Sequence, residues 1–197
     1  MRKGEQTRIA ILDAALALAS RDGLEGLTIG LLSEQMQMSK SGVFAHFGSR
    51  EDLQVAVVQE YHRRFARDVF TPGLAELRGL PRLRRMVFGW MEKRIQEEVS
   101  TGCIFISGAV EYDDRPDSPV REALVFSVAS WRAALEKAIL QAKEEGHLRT
   151  DTDPQMMLFE VYSVTLGVHH DARFLRLPGA VSLARAALEK LIVSYQT

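Results

Sequence analysis

The chain has 197 residues, 46% of them apolar, with 25 basic and 26 acidic side chains and a formal net charge of −1. That balance fits one or two folded units and excludes disorder, a collagen-like repeat and, with Cys103 as the single cysteine, an internal disulfide. The apolar runs, such as 103–110, fall short of the ~18–20 residues of a membrane span. Met1-Arg2-Lys3-Gly4-Glu5-Gln6 leads into a segment carrying Asp13 and does not read as a signal peptide. The expectation is a cytoplasmic chain without a membrane role. Near-zero charge argues at first sight against nucleic acid, because a basic patch is the usual electrostatic footprint.

The elements follow in chain order. Ile9, Leu12, Leu16 and Ala19 lie on one helical stripe, and Gly23 ends that helix after Arg21. Thr28 caps a short helix carrying Ile29, Leu32 and Met36 inward, and Ser39 caps a third that closes at Gly48. A fourth starts at Ser49-Arg50-Glu51-Asp52, with two carboxylates in its first turn, and runs to Phe70. All six prolines lie at or beyond Pro72 and punctuate the rest. Pro81 opens a helix of about 18 residues with Leu83, Val87, Trp90 and Met91 on its apolar stripe. A short apolar helix covers 103–112, and a turn-rich loop follows through Asp117. Ser118-Pro119 opens the longest helix, with Leu124, Val128, Trp131, Leu135, Ala138 and Ala142 inward. Asp153-Pro154 opens another, reaching Val168 or Phe174, and the last carries Val181, Ala184, Leu188, Leu191 and Tyr195. Without any Asn-Gly turn or period-two alternation, the chain reads as all-α with about nine helices.

Residues 28–53 carry the chemistry. A short helix, a turn of two or three residues and a second short helix make helix-turn-helix arithmetic. Lys40, Ser41 and Gly42 occupy the N-terminal turn of the second helix, the part that meets base edges when such a helix enters the major groove. Gly42 and Ala45 leave the surface flat, and capped helix N-termini offer N–H groups to phosphate. Phe47 is expected in the core and Phe44 partly at the surface.

Thr28-Ile29, followed by Met38-Ser39-Lys40-Ser41-Gly42-Val43-Phe44-Ala45-His46-Phe47-Gly48-Ser49-Arg50-Glu51-Asp52-Leu53, resembles the DNA-binding signature of the TetR family of transcriptional regulators. The resemblance covers about a quarter of the chain. It implies three N-terminal helices that bind DNA (residues 1–48) and a helical ligand-sensing and dimerisation domain (residues 49–197). Three positions depart from the family pattern. Met36-Gln37-Met38 stands where Ala-Gly is usual, and Gln37 is disfavoured if its φ is positive. Phe44 replaces a tyrosine, and Arg50 a lysine.

The resemblance implies DNA contacts from Thr28, Ser39, Lys40, Ser41, Gly42, Phe44, His46 and Arg50. Thr28, Ser39, His46 and Arg50 are assigned mainly to phosphates, and Lys40, Ser41 and Gly42 to base edges. The plainer alternative is that Thr28 and Ser39 only cap helices and Lys40 is a solvated charge. The resemblance also implies a homodimer through the last two helices, double-stranded DNA with a palindromic operator as partner, and a small-molecule effector. Trp90, Phe105, Tyr112, Phe126, Trp131, Phe159 and Tyr162 are candidates to line an apolar effector pocket; core packing is the alternative for each. Gly102-Cys103-Ile104-Phe105 and Glu111-Tyr112-Asp113-Asp114-Arg115-Pro116 resemble segments of some TetR-like regulatory domains.

No cofactor or metal site is expected, and no enzyme. Adjacent His169, His170 and Asp171 splay by roughly 100° per residue on a helix. Cys103 has no second cysteine for a zinc pair, and its apolar flanks suit an inert core thiol better than a redox sensor. The functional expectation is a repressor released by a small molecule. An activator or co-repressor-dependent regulator, and behind it a helical enzyme or partner-binding module, stay open. Up to Arg50 the charge is +1 and over the remainder −2, so near-neutrality averages a DNA-reading end with an acidic one. It points to weak non-specific DNA affinity rather than none.

Overall fold

The computed structural model describes residues 3–197; Met1 and Arg2, part of the signal-peptide reading, lie outside the described residues. These form eleven α-helices and two π-helical turns: α1 (Lys3–Asp22), α2 (Ile29–Gln35), α3 (Lys40–Phe47), α4 (Arg50–Phe65), a π turn (Ala66–Phe70), α5 (Thr71–Ala75), α6 (Leu80–Lys93), α7 (Ile95–Thr101), α8 (Ile104–Tyr112), α9 (Pro119–Glu144), α10 (Pro154–His169), a second π turn (His170–Phe174) and α11 (Ala180–Tyr195). The only β pairing among the described residues is an isolated bridge between Leu148 and Gln196. The chain is all-α, as its periodicity predicts.

The two helices beyond the expected nine have identifiable causes. The fourth helix does not continue to Phe70; it widens after Phe65 into the π turn, which leads into α5. The helix from Pro81 is divided at Arg94 (φ −117°) into α6 and α7. That break goes with a buried guanidinium, whose Nη1 meets Glu97 at 3.0 Å and Asp68 at 3.9 Å while its Nε lies 3.4 Å from Glu98. A buried arginine among carboxylates has no signature in helical periodicity.

The predicted stripe of α1 is also rotated. Ile9 is 45% exposed, and the buried face runs through Ile11, Leu12, Ala15, Leu18 and Ala19. Apolar residues surround much of α1, so spacing alone does not choose between neighbouring stripes. The capping residues fall where expected. Thr28, Ser39 and Asp153 accept backbone N–H groups from α2, α3 and α10, and the Ser118 hydroxyl accepts the Val120 N–H at 3.3 Å.

The chain forms two compact units. The first takes the chain up to Arg64 with Thr101–Val128; the second takes Phe65–Ser100 with Ala129–Thr197. The core of the first joins Ile11, Ala15, Leu27, Leu32, Val43 and Phe47 to Leu53, Val57, Val58 and Tyr61 of α4, and to Ile104, Tyr112, Val120 and Leu124. This grouping differs from the division at 48/49 drawn from the sequence, because α4 and α8 bury their apolar faces against the first three helices. In the second unit α6, α10 and α11 bury Leu83, Met86, Val87, Met157, Val161, Ala184, Leu188 and Ile192.

Candidate nucleic-acid interface

The α2 and α3 helices pack together, joined by Met36–Ser39. Thr28 is extended (φ −121°, ψ 150°) and its hydroxyl accepts the Leu31 N–H at 3.2 Å. Ser39 (φ −69°, ψ 149°) likewise accepts the Gly42 N–H at 3.1 Å, and its oxygen lies 3.1 Å from the Ser41 hydroxyl. Both caps thus leave first-turn N–H groups at the surface beside hydroxyls. A Cβ on Gly30 would sit 3.8 Å from Thr28 Oγ1 and 3.9 Å from Lys40 Nζ, so the lysine leans back over the start of α2. The structure therefore brings Thr28, Ser39, Lys40 and Ser41 onto one polar, exposed face. Gly42 belongs to its edge: a Cβ there would press on Ser39 Oγ at 3.2 Å.

Val43 and Phe47 fix the other side of α3 in the core, with the Arg8 guanidinium 4.8 Å from the Phe47 ring centre. Phe47 is 8% and Phe44 47% exposed, the division expected from the sequence. His46 is half-buried in the last turn. In the turn, Gln37 has φ +52°, the conformation its position raised as a concern. For a residue with a Cβ that region is disfavoured by about 1–2 kcal/mol. Neighbouring hydrogen bonds hold it there, with Gln37 N–H donating to Glu34 O at 3.2 Å and Met38 N–H to Ser33 O at 2.9 Å.

Arg50 is placed differently from the other candidates. Its Nε donates to Leu27 O at 2.9 Å, and its Nη2 donates to Glu25 O at 2.6 Å and to the Glu25 carboxylate at 3.1 Å. The side chain holds the turn that leads to Thr28. Glu25, which the sequence did not single out, is the centre of this arrangement. Its Oε1 also accepts the Tyr112 hydroxyl and Arg115 Nη1, each at 2.7 Å, and its backbone N–H donates to Glu111 at 2.9 Å. The Tyr112 hydroxyl, ahead of Arg115 and Arg50, holds the Glu25 carboxyl below the usual carboxylate range against the effect of burial. Burial, and then the bond to Glu25, push the Tyr112 phenol well above its ordinary value.

Residues 11–57 match the family model described as bacterial regulatory proteins, tetR family, and residues 79–188, more than half the chain, match the tetracyclin repressor-like C-terminal domain. The chain belongs to the TetR family. It is 35% identical over 162 residues to the HTH-type transcriptional repressor AcnR of Corynebacterium efficiens and 27% identical over 162 residues to AcnR of Corynebacterium glutamicum; each match covers 79% of this chain and 76% of the relative. A TetR transcriptional regulator from Chloroflexus aurantiacus has the same fold, with a TM-score of 0.84 at 22% identity over 100% of this chain and 98% of that one. This TetR-family chain is a DNA-binding transcriptional regulator, and α2–turn–α3 is its helix-turn-helix.

The aromatic candidates for an effector site divide between the two compact units. In the first unit, Tyr112 is buried and bound to Glu25, Phe105 stacks edge-on against Tyr61 at 4.8 Å, and Phe126 is exposed with His62 5.7 Å from its ring. In the second, Trp131 packs against Phe65 and Phe70 at 5.1 and 5.2 Å, two aromatics outside the sequence-derived candidates. Trp90 is buried 5.8 Å from His169, and Tyr162 is half-buried with Arg132 4.7 Å from its ring centre. Phe159 is 63% exposed on α10. Buried Glu98 meets His169 Nε2 at 3.0 Å, while His170 is exposed 3.3 Å from Asp171, so the adjacent histidines diverge. No described helix is long and apolar enough to cross a membrane.

Proposed function

We propose that the chain is a homodimeric, cytoplasmic repressor that binds a palindromic operator through α3 of each subunit and leaves it when a small molecule binds its C-terminal region. The observation that carries this reading is the exposed face of Lys40, Ser41, Ser39 and Thr28, whose polar groups are gathered at the start of α3 while Val43 and Phe47 anchor the helix from behind. Lys40, Ser41 and Gly42 reach base edges; Thr28, Ser39 and His46 meet phosphates; Phe44, lacking a hydroxyl, offers an apolar edge that suits a thymine methyl. Arg50 serves mainly by holding the turn before Thr28.

One helix-turn-helix makes few contacts, and a dimer doubles them on half-sites about 34–36 Å apart. The last two helices supply a face for it. Met156, Phe159 and Leu166 are exposed along α10, and Leu183 and Val193 along α11, at helical spacings. For the effector, the second unit offers aromatic walls (Phe65, Phe70, Trp90, Trp131) and buried polar groups (Arg94, Glu98, His169). The effector releases DNA only if it binds more tightly to the conformer whose α3 helices are misplaced for successive grooves. The chain crosses between its two units at the ends of α4 and α7 and within α9, so these helices are covalent routes for that coupling.

The test is the double variant Lys40→Ala/Ser41→Ala. It is expected to remain a folded dimer and to lose sequence-specific duplex binding in a mobility-shift titration. Unchanged affinity for the duplex preferred by the parent chain rules out α3 as the reading helix.

A further inference from the structure

The segment Glu111-Tyr112-Asp113-Asp114-Arg115 has no part in the DNA-reading face, yet three of its side chains converge on one turn of the helix-turn-helix region from 86 to 90 residues away in sequence. The turn is Gly23–Leu27, immediately before Thr28. From the α8 side, Glu111 accepts the Glu25 N–H, and Tyr112 and Arg115 donate to the Glu25 carboxylate, with the Arg115 guanidinium 4.7 Å from the Tyr112 ring centre. From the α4 side, Arg50 binds the carbonyls of Glu25 and Leu27, and buried Gln54 donates to Leu24 O at 2.7 Å. Gly23 lies at φ +82°, where a Cβ would collide with the Glu111 carboxylate. The turn thus takes its shape from two distant segments in the same compact unit, and the direction in which Thr28 and α2 leave it depends on both.

We propose that Glu25 is a positioning residue for operator binding, and that Glu111, Tyr112 and Arg115 form a clasp through which the α8 segment sets DNA affinity without touching DNA. The proposal rests on α2–turn–α3 being the DNA-reading element. With the clasp closed, Thr28 and the start of α2 are held in the register that lets α3 sit in the groove. With it open, the turn has more conformers, and the operator must select one of them, which lowers apparent affinity by the fraction that is competent.

The experiment compares Arg115→Gln, Tyr112→Phe and Glu25→Gln with the parent full-length chain, by fluorescence anisotropy on the duplex that the parent selects, at several salt concentrations. Arg115→Gln and Tyr112→Phe are each expected to weaken binding by about fivefold, the effect of one hydrogen bond. Glu25→Gln is expected to weaken it more, and adding Tyr112→Phe to Glu25→Gln to bring little further loss, because the two share one interaction. The slope of affinity against salt stays at the parent value, since no phosphate contact is lost. A merely structural role lowers the melting temperature but leaves affinity per folded dimer unchanged; that result overturns the proposal, as does a shallower salt slope for Arg115→Gln, which makes it a direct DNA contact. Arg115 is at the surface, so its variant tests the clasp even if Glu25→Gln folds poorly. The Lys40→Ala/Ser41→Ala variant, assayed alongside, separates failures: if it loses binding and the clasp variants do not, only the clasp is wrong.

Discussion

Each compact unit gathers several partners around one glutamate, under opposite conditions. Glu25 lies near the surface of the first unit, with a side chain 37% exposed, and collects Tyr112, Arg115 and Arg50. Glu98 in the second unit is 1% exposed and collects Arg94 and His169. The same kind of chemistry therefore has different consequences. Water can replace the half-exposed Arg115 or Arg50 beside Glu25 at small cost, so those links can open and close within the folded state. Around Glu98 the loss of one partner leaves a charge stranded in the interior, so that centre holds its place or unfolds with its surroundings.

The contrast is broken most directly by Glu98→Ala. It removes the acceptor shared by Arg94 and His169 and is expected to destabilise the chain by about 3–5 kcal/mol, read from urea denaturation. A loss below about 1 kcal/mol shows that the buried centre is as replaceable as the surface one.

An acid titration gives the next largest effect. Arg63, and with it Arg64, holds the Glu60 carboxyl down to about 2 from an ordinary 4.5, against burial. A carboxyl whose folded pKa is depressed stabilises the fold above its unfolded pKa and loses that contribution as pH falls through the folded one. Stability on the order of 2 kcal/mol is therefore expected to disappear between pH 4.5 and about 2, and Glu60→Gln to flatten that part of the profile. An unchanged profile places the acid sensitivity elsewhere.

Glu25→Gln is expected to cost at most about 1 kcal/mol of stability while weakening operator binding. A loss equal to that of Glu98→Ala removes the distinction between the two centres. The smallest effect is expected from Gln37→Gly. Relief of the positive φ is partly offset by a freer unfolded chain, for a net gain of about 0.5–1 kcal/mol in unfolding free energy, read from urea denaturation. No gain shows that the turn tolerates the strain through its hydrogen bonds to Glu34 and Ser33.

What could be read from the sequence was local. Ser39, Thr28 and Asp153 mark helix starts because a cap acts within three residues, and Ser39 and Gly48 bracket α3 at both ends. The split between buried Phe47 and exposed Phe44 follows from helical spacing. The missing parts depend on packing. The break at Arg94 goes with a buried guanidinium whose partners include Asp68, 26 residues away, and the rotation of the α1 stripe with the choice among several apolar faces. Glu25 looks like an ordinary loop carboxylate until Tyr112 and Arg115 are brought to it. Arg50, grouped with the phosphate contacts by motif, turns its Nε and Nη2 to backbone carbonyls, a detail no motif records.

Whether α3 reads a specific sequence as one half of a symmetric dimer is decided by selecting duplexes from a randomised pool with the purified full-length chain. Enrichment of a palindrome with half-sites about one helical turn, 34–36 Å, apart is expected, with loss of that enrichment for Lys40→Ala/Ser41→Ala. Enrichment of no sequence, or the same palindrome selected by the double variant, contradicts that reading.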